Sequence, residues 1–166
     1  MSLELQKDQE LRNYTTLKIG GKADSLATVS SVEELEEVLQ FAKQTAAPLL
    51  ILGEGSNVLC RDEGFQGIVI VNKILGYELV SVEGNSVLLK VGAGENLDTI
   101  IQKTIIDCFW GLENLSHIPG SVGATPVQNV GAYGVEVSEL IESVEAINGD
   151  TLEKKVFSSQ ECTFGY

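Results

Sequence analysis

Apolar and polar positions fall into two different patterns along the chain. In the first half they read as a strand–helix–strand unit. Leu17 and Ile19 alternate with polar residues before Gly20-Gly21, which predicts a short extended segment ending in a turn. Leu26 to Val29 predicts a short strand. Ser31-Val32-Glu33-Glu34 has the form of a capping box, in which Glu34 reaches back to the serine cap. Leu35, Val38, Leu39 and Ala42 then recur on one face, predicting a helix over Val32–Thr45 that Pro48 stops. Leu49–Leu52 is a fully apolar run fit for a buried parallel strand, and Gly67–Val71 is a second. The first dozen residues read as a weakly anchored lead.

From Tyr77 the period changes. Leu79–Glu83 and Ser86–Val91 flank Gly84-Asn85 and predict a hairpin. Leu97, Ile100, Ile101, Thr104 and Ile105 share a helical face over Leu97–Asp107. Ile141–Asn148 and Thr151–Phe157 flank Gly149-Asp150 and predict another hairpin. The chain thus divides near Lys73–Tyr77 into a β-α-β lobe, residues 1–75, and a mainly antiparallel lobe with one helix, residues 76–166. The expected class is α+β.

One stretch has neither period. Gly111 to Gly134 contains five glycines and two prolines in 24 residues, yet is too apolar for a floppy linker. Glycine permits positive φ and proline fixes φ. Such a path suits laying backbone against a flat ligand; a packed connector between two sheets is the alternative. Its candidate surface comprises apolar Ile118, Pro119, Val122 and Ala124 with amides at Gln128 and Asn129.

A second glycine-rich segment, Gly53-Glu54-Gly55-Ser56-Asn57-Val58, follows the Leu49–Leu52 strand. Ligands of open α/β sheets bind at the carboxyl ends of strands. It begins like G-x-G-x-x-G, but Val58 stands where the third glycine belongs, and Arg61–Gly64 ends any helix early. Successive N–H groups with Ser56 and Asn57 can still form an anion nest; a tight structural turn is the alternative. Taken together, an anion nest and a flat apolar wall suit a nucleotide cofactor with a pyrophosphate and a planar ring.

Composition narrows the classes. Net charge is −13, from 24 acidic and 11 basic residues, which argues against nucleic acid. It also leaves any phosphate to main-chain N–H groups and hydroxyls. Mean hydropathy is +0.12, suited to a globular core. No apolar run reaches the ~20 residues of a membrane span, and Met1–Asp8 lacks a signal-peptide pattern, so a cytoplasmic location is expected. Cys60, Cys108 and Cys162 lie far apart without CxxC spacing and predict neither zinc nor a disulfide framework. His117 is the only histidine, excluding a multi-histidine metal site within these residues. No carboxylate pair forms an acid–base dyad; Asp107 and Glu113 read as solvated or capping. No catalytic residue and no metal site are assigned.

Five segments in order carry a family resemblance. They are Asn13–Gly21, Ile51–Leu59, Val91–Asn96, Gly111–Glu136 and Glu161–Tyr166. The chain resembles the amino-terminal part of the UDP-N-acetylenolpyruvoylglucosamine reductases, flavoproteins of bacterial peptidoglycan-precursor synthesis. The resemblance implies a two-lobed FAD-binding domain of the vanillyl-alcohol oxidase type. It places the FAD pyrophosphate on Gly53, Glu54, Gly55, Ser56, Asn57 and Val58. It places the isoalloxazine against Ile118, Pro119, Gly120, Ser121, Gly123, Ala124, Thr125 and Gln128. It implies NADPH as reductant, a UDP-sugar substrate, and Tyr133 and Tyr166 as residues facing that substrate; a buried packing role is the alternative for both tyrosines. In the family an arginine follows the tyrosine matching Tyr166. A proton-donating serine, a glutamate and a substrate-binding domain come later. All are absent from these residues, so the expectation is FAD binding without turnover by this chain alone. A non-catalytic flavin- or nucleotide-binding module acting with a partner chain, an FAD-dependent oxidase of the same fold, and a structural domain whose glycine loops bind nothing are the rival readings. Many flavoproteins of the wider fold attach FAD through a histidine; the reductase resemblance argues against that role for His117.

Overall fold

The computed structural model describes residues 4–165. Tyr166, expected to face substrate, lies outside the described residues. The described residues form two compact units, one running up to Ile74 together with residues 148–153, the other Leu75–Ile147 together with the residues from Lys154 on.

The first unit is built on a four-stranded sheet. Its strands are β1 (Gln6–Glu10), β2 (Lys22–Val29), β3 (Leu49–Leu52) and β4 (Phe65–Asn72), in the order β1-β2-β4-β3. β1 runs antiparallel to β2, whereas β4 is parallel to both β2 and β3. β4 buries Gly67 through Val71, as a central parallel strand covered on both faces does. Leu11, Ala23, Leu26, Leu52, Cys60, Val69 and Val71 form one core cluster. Helix α1 (Val32–Thr45) packs on β2 and buries Val38, Leu39 and Ala42. The Ser31 hydroxyl accepts from the Glu34 N–H at 3.1 Å, as a cap should. Glu34, however, reaches past the cap: its carboxylate accepts from the main-chain N–H of Ser30 at 2.7 Å and its hydroxyl at 2.9 Å. The bond from the Ser30 N–H, followed by that from its hydroxyl, holds the Glu34 carboxyl below its ordinary value. Ala46 ends α1 in the left-handed region at φ 51°, with the Ala47 N–H closing on the Ala42 carbonyl at 3.0 Å.

Three local expectations change. The lead is not loose: β1 pairs with β2, and Leu11 behind it is 1% exposed. Its polar side chains hide a strand held through the backbone ladder. The run Leu49–Leu52 is parallel but sits at the sheet edge, so Ile51 remains exposed and only Leu52 is buried. Leu17 and Ile19 form no strand, because the backbone around them bonds elsewhere, as described below.

In the second unit, β5 (Tyr77–Glu83) and β6 (Ser86–Val91) form the hairpin expected around Gly84-Asn85. Helix α2 (Leu97–Ile106) follows, capped by the Asn96 side chain, which accepts from the Thr99 N–H at 2.9 Å. Leu97, Ile100, Ile101 and Thr104 are buried as the spacing predicts, while Ile105 is exposed. Two-residue strands β7 (Gly131–Ala132) and β8 (Val135–Glu136) form a miniature hairpin. β9 (Ser143–Ile147) pairs with β10 (Lys154–Ser158). The connecting turn is wider than Gly149-Asp150, because the Asn148 carboxamide oxygen accepts from the N–H groups of Asp150 and Thr151. Leu97, Ile101, Leu115, Val130 and Val137 make the unit's buried cluster.

Candidate functional site

The turn after β3 is clamped from one side by the segment that precedes β2. Gly55 has φ +64°, and a β-carbon there would overlap the Tyr14 carbonyl oxygen and lie 2.9 Å from the Thr15 Cα. The Thr16 N–H donates to the Gly55 carbonyl at 3.1 Å. Thr15 is buried, and its hydroxyl donates to the Ile19 carbonyl at 3.3 Å. Gly20 packs on the Cys60 side chain, and the Gly21 N–H donates to the Arg61 carbonyl at 2.8 Å. The two motifs at 13–21 and 51–59 are therefore the two sides of one clamp. This explains why Leu17 and Ile19 are not a strand: the neighbouring backbone serves the turn. Gly53, Glu54, Ser56 and Val58 are half-buried, while Asn57 is exposed. Cys60 is buried at the end of the turn, and its desolvation raises the thiol pKa.

The stretch from Gly111 to Gly134 is ordered by the same principle within the second unit. Gly123 lies so close to Ala93 that an added β-carbon would be 2.6 Å from the Ala93 Cβ. The Gly123 N–H donates to the Ala93 carbonyl at 2.9 Å, and the Val122 N–H to the Glu95 carbonyl at 2.8 Å. Asn96 and Ser121 form an antiparallel bridge. The motif Val91–Asn96 thus backs residues 120–123, as Asn13–Gly21 backs the other turn.

Side chains of the predicted ring wall divide. Ile118 and Val122 turn partly inward against the buried cluster, and Leu115 is fully buried beneath them. Gly120, Ser121 and Thr125 are buried; the Thr125 hydroxyl donates to the Val122 carbonyl at 2.8 Å. Pro119 and Gln128 are exposed, and Gly123 and Ala124 half-buried. The stretch is anchored by its larger side chains and presents backbone and small residues. Asn129 is committed to its own loop: its amide donates to Glu136 at 2.7 Å, and its oxygen accepts from the Ser138 N–H at 3.3 Å. Tyr133 sits at the tip of the β7–β8 turn with φ 52°, beside Gly134 at φ 79°, and is 90% exposed. It is not a packing residue of this unit.

Sequence reasoning missed Asp98. Its carboxylate accepts from the His117 N–H at 2.7 Å, the Ser116 hydroxyl at 2.8 Å and the Gln102 amide at 2.7 Å. These bonds, that from the His117 N–H foremost, hold the carboxyl below its ordinary value. An acidic residue in the first turn of a helix was the available signal, but its loop partners lie 18 and 19 residues away. Among the described residues no group of histidine, cysteine and carboxylate side chains could hold a metal ion. Nor is any helix long and apolar enough to cross a membrane.

Comparison with known proteins agrees with this architecture. The UDP-N-acetylenolpyruvoylglucosamine reductase of Flavobacterium johnsoniae is 42% identical over 164 residues, covering 99% of this chain and 48% of the relative. That of Pseudomonas aeruginosa is 39% identical, covering 100% and 49%. The chain spans about half the length of these curated relatives. The crystal structure of the Thermus caldophilus UDP-N-acetylenolpyruvylglucosamine reductase superposes with TM-score 0.82 at 33% identity, over 99% of this chain and 56% of that one. Cholesterol oxidase from Brevibacterium sterolicum shares the fold at 13% identity and TM-score 0.62, over 95% of this chain and 32% of that one. The α+β, two-lobed FAD-binding fold of the vanillyl-alcohol oxidase type is therefore the fold of this chain. Residues 23–153 match the family described as FAD binding domain, and the chain belongs to that family.

Proposed function

We propose that this chain is the FAD-binding part of an NADPH-dependent UDP-N-acetylenolpyruvoylglucosamine reductase. The observation that carries the reading is the repeated clamp. Gly55 is closed against Tyr14-Thr15, and Gly123 against Ala93, so each glycine-rich segment has one face filled by its backing motif. Such segments hold a ligand through backbone, which suits a chain of net charge −13. These residues suit FAD in kind: a glycine-rich turn whose main-chain N–H groups would nest a pyrophosphate, and small residues that would lie against a planar ring.

In this reading Gly53–Val58 would hold the pyrophosphate through N–H groups, with Ser56 and Asn57 adding side-chain donors. Residues Ile118–Gln128 would lie along the isoalloxazine. Bound FAD supplies hydride transfer from NADPH to the enolpyruvyl double bond. The chain's own residues bind and orient the cofactor. The exposed Tyr133 would meet the UDP-sugar substrate, as would Tyr166. In the family reading, polarising the enolpyruvyl group falls to the arginine after the tyrosine matching Tyr166 and protonation to a later serine, so turnover would need those groups and the substrate-binding domain; a cytoplasmic site of action goes with that role.

The experiment is to purify the chain, record its visible spectrum with FAD, and follow NADPH oxidation with and without UDP-N-acetylglucosamine enolpyruvate. A flavin spectrum without substrate turnover is expected. Full turnover by the 166 residues would refute the division of labour. Rapid reoxidation of the reduced flavin by oxygen, without substrate, would favour an oxidase instead.

A further inference from the structure

We propose that Asp98 is a positioning residue for the flavin ring, acting through the arc Ser116–Gly120; this rests on the flavin reading of Ile118–Gln128. Asp98 lies in the first turn of α2. Its Oδ1 takes both the His117 N–H and the Ser116 hydroxyl, while Gln102 on the next turn holds Oδ2. One residue earlier, the Leu97 N–H donates to the Gly120 carbonyl at 3.0 Å. Adjacent residues of one helix therefore grip the loop at two points, and Ile118 and Pro119 hang between them.

The grip also sets a conformation. His117 has φ 63°, which a side chain with a β-carbon disfavours. Its N–H is held there by a charge-assisted bond, stronger than one between neutral groups. Gly120 follows at φ 140°, also in the region that favours glycine. The path through Ile118-Pro119-Gly120-Ser121 is thus fixed at its start by Asp98 and at its end by the Leu97 N–H and the Asn96–Ser121 bridge. Losing the Asp98–Gln102 bond weakens the helix only slightly, because Asn96 caps it and Leu97, Ile100 and Ile101 bury its inner face. What Asp98 organises is the loop.

The test uses the full chain as wild type, Asp98→Ala and Asp98→Asn. Amide hydrogen exchange is read on peptides covering 116–122 and 100–106. FAD, riboflavin and ADP are each titrated, ADP lacking the ring. In Asp98→Ala, exchange of 116–122 is expected to rise while 100–106 stays protected, since openings can be local. FAD and riboflavin should bind roughly tenfold more weakly, given what hydrogen bonds to charged groups contribute. The bound flavin's visible band should shift, and ADP binding should not change. Asp98→Asn, which keeps one acceptor oxygen, should fall between. Unchanged flavin binding and spectrum in Asp98→Ala would overturn the proposal, as would equal losses for FAD and ADP. A wild type that binds neither FAD nor riboflavin would instead overturn the flavin reading beneath it.

Discussion

Replacing Gly55 by alanine tests the clamp at its tightest point. Two costs add. At φ +64° a β-carbon meets left-handed strain, about 1–2 kcal/mol. It also overlaps the Tyr14 carbonyl oxygen and crowds the Thr15 Cα at 2.9 Å, both backbone atoms that cannot rotate away. Overpacking of that kind costs about 1–3 kcal/mol. The sum is roughly 2–5 kcal/mol, a large part of the ~5–15 kcal/mol that stabilises a domain. With a urea slope near ~2 kcal/mol per molar, the midpoint should fall by about 1–2.5 M. Ala46 supplies an internal calibration in the same unit, because it is already an alanine in the left-handed region, at φ 51°. Ala46→Gly should recover up to about 1 kcal/mol, the left-handed strain less the extra unfolded-state freedom that glycine brings, and the same offset enters Gly55→Ala with opposite sign. The reading requires the Gly55→Ala loss to exceed the Ala46→Gly gain clearly. Equal magnitudes would mean that the Tyr14-Thr15 backbone gives way freely and that no rigid clamp exists.

Other consequences follow from the same structure. Ser31→Ala removes the cap of α1 and should cost about 1 kcal/mol, read as a lower thermal midpoint by circular dichroism. The folded Glu34 carboxyl titrates below its ordinary 4.5, so its contribution is full above that pH and is lost as pH falls through the folded value. The stability gap between wild type and Glu34→Gln should therefore be constant from pH 7 to 5 and shrink below 4.5 in urea titrations; a gap that widens on acidification would contradict the assignment. Cys108 is exposed and Cys60 buried with a raised pKa, so a thiol reagent should modify Cys108 in the native chain and reach Cys60 only on unfolding.

Legibility in the sequence followed the range of the interactions. Helix α1 was readable to the residue because cap, spacing and stop are local: Ser31, the Leu35–Ala42 face and Pro48. Both long hairpins were readable from alternation around their turns. β1 was not, since Gln6–Glu10 is polar and its pairing with β2 resides in the ladder. Leu49–Leu52 looked buried because apolar runs do not reveal strand order; pairing with β4 alone leaves Ile51 exposed. At the candidate site, the glycine-rich segments stood out by composition, but what closes on them did not. Tyr14 meets Gly55, Ala93 meets Gly123, and Asp98 meets His117 only through the tertiary fold. The same holds for the wall residues: residue type marked Ile118 and Val122 as apolar, and only packing shows them turned toward Leu115 and the rest of the buried cluster.

The central claim is that backbone held by tight glycine clamps seats FAD. Titration of FAD into the purified, folded chain, followed by flavin fluorescence and the visible band, tests it most directly. Saturable binding that the Gly55→Ala chain weakens is the predicted result. No binding by the folded wild type, or equal binding by a folded Gly55→Ala chain, would contradict it.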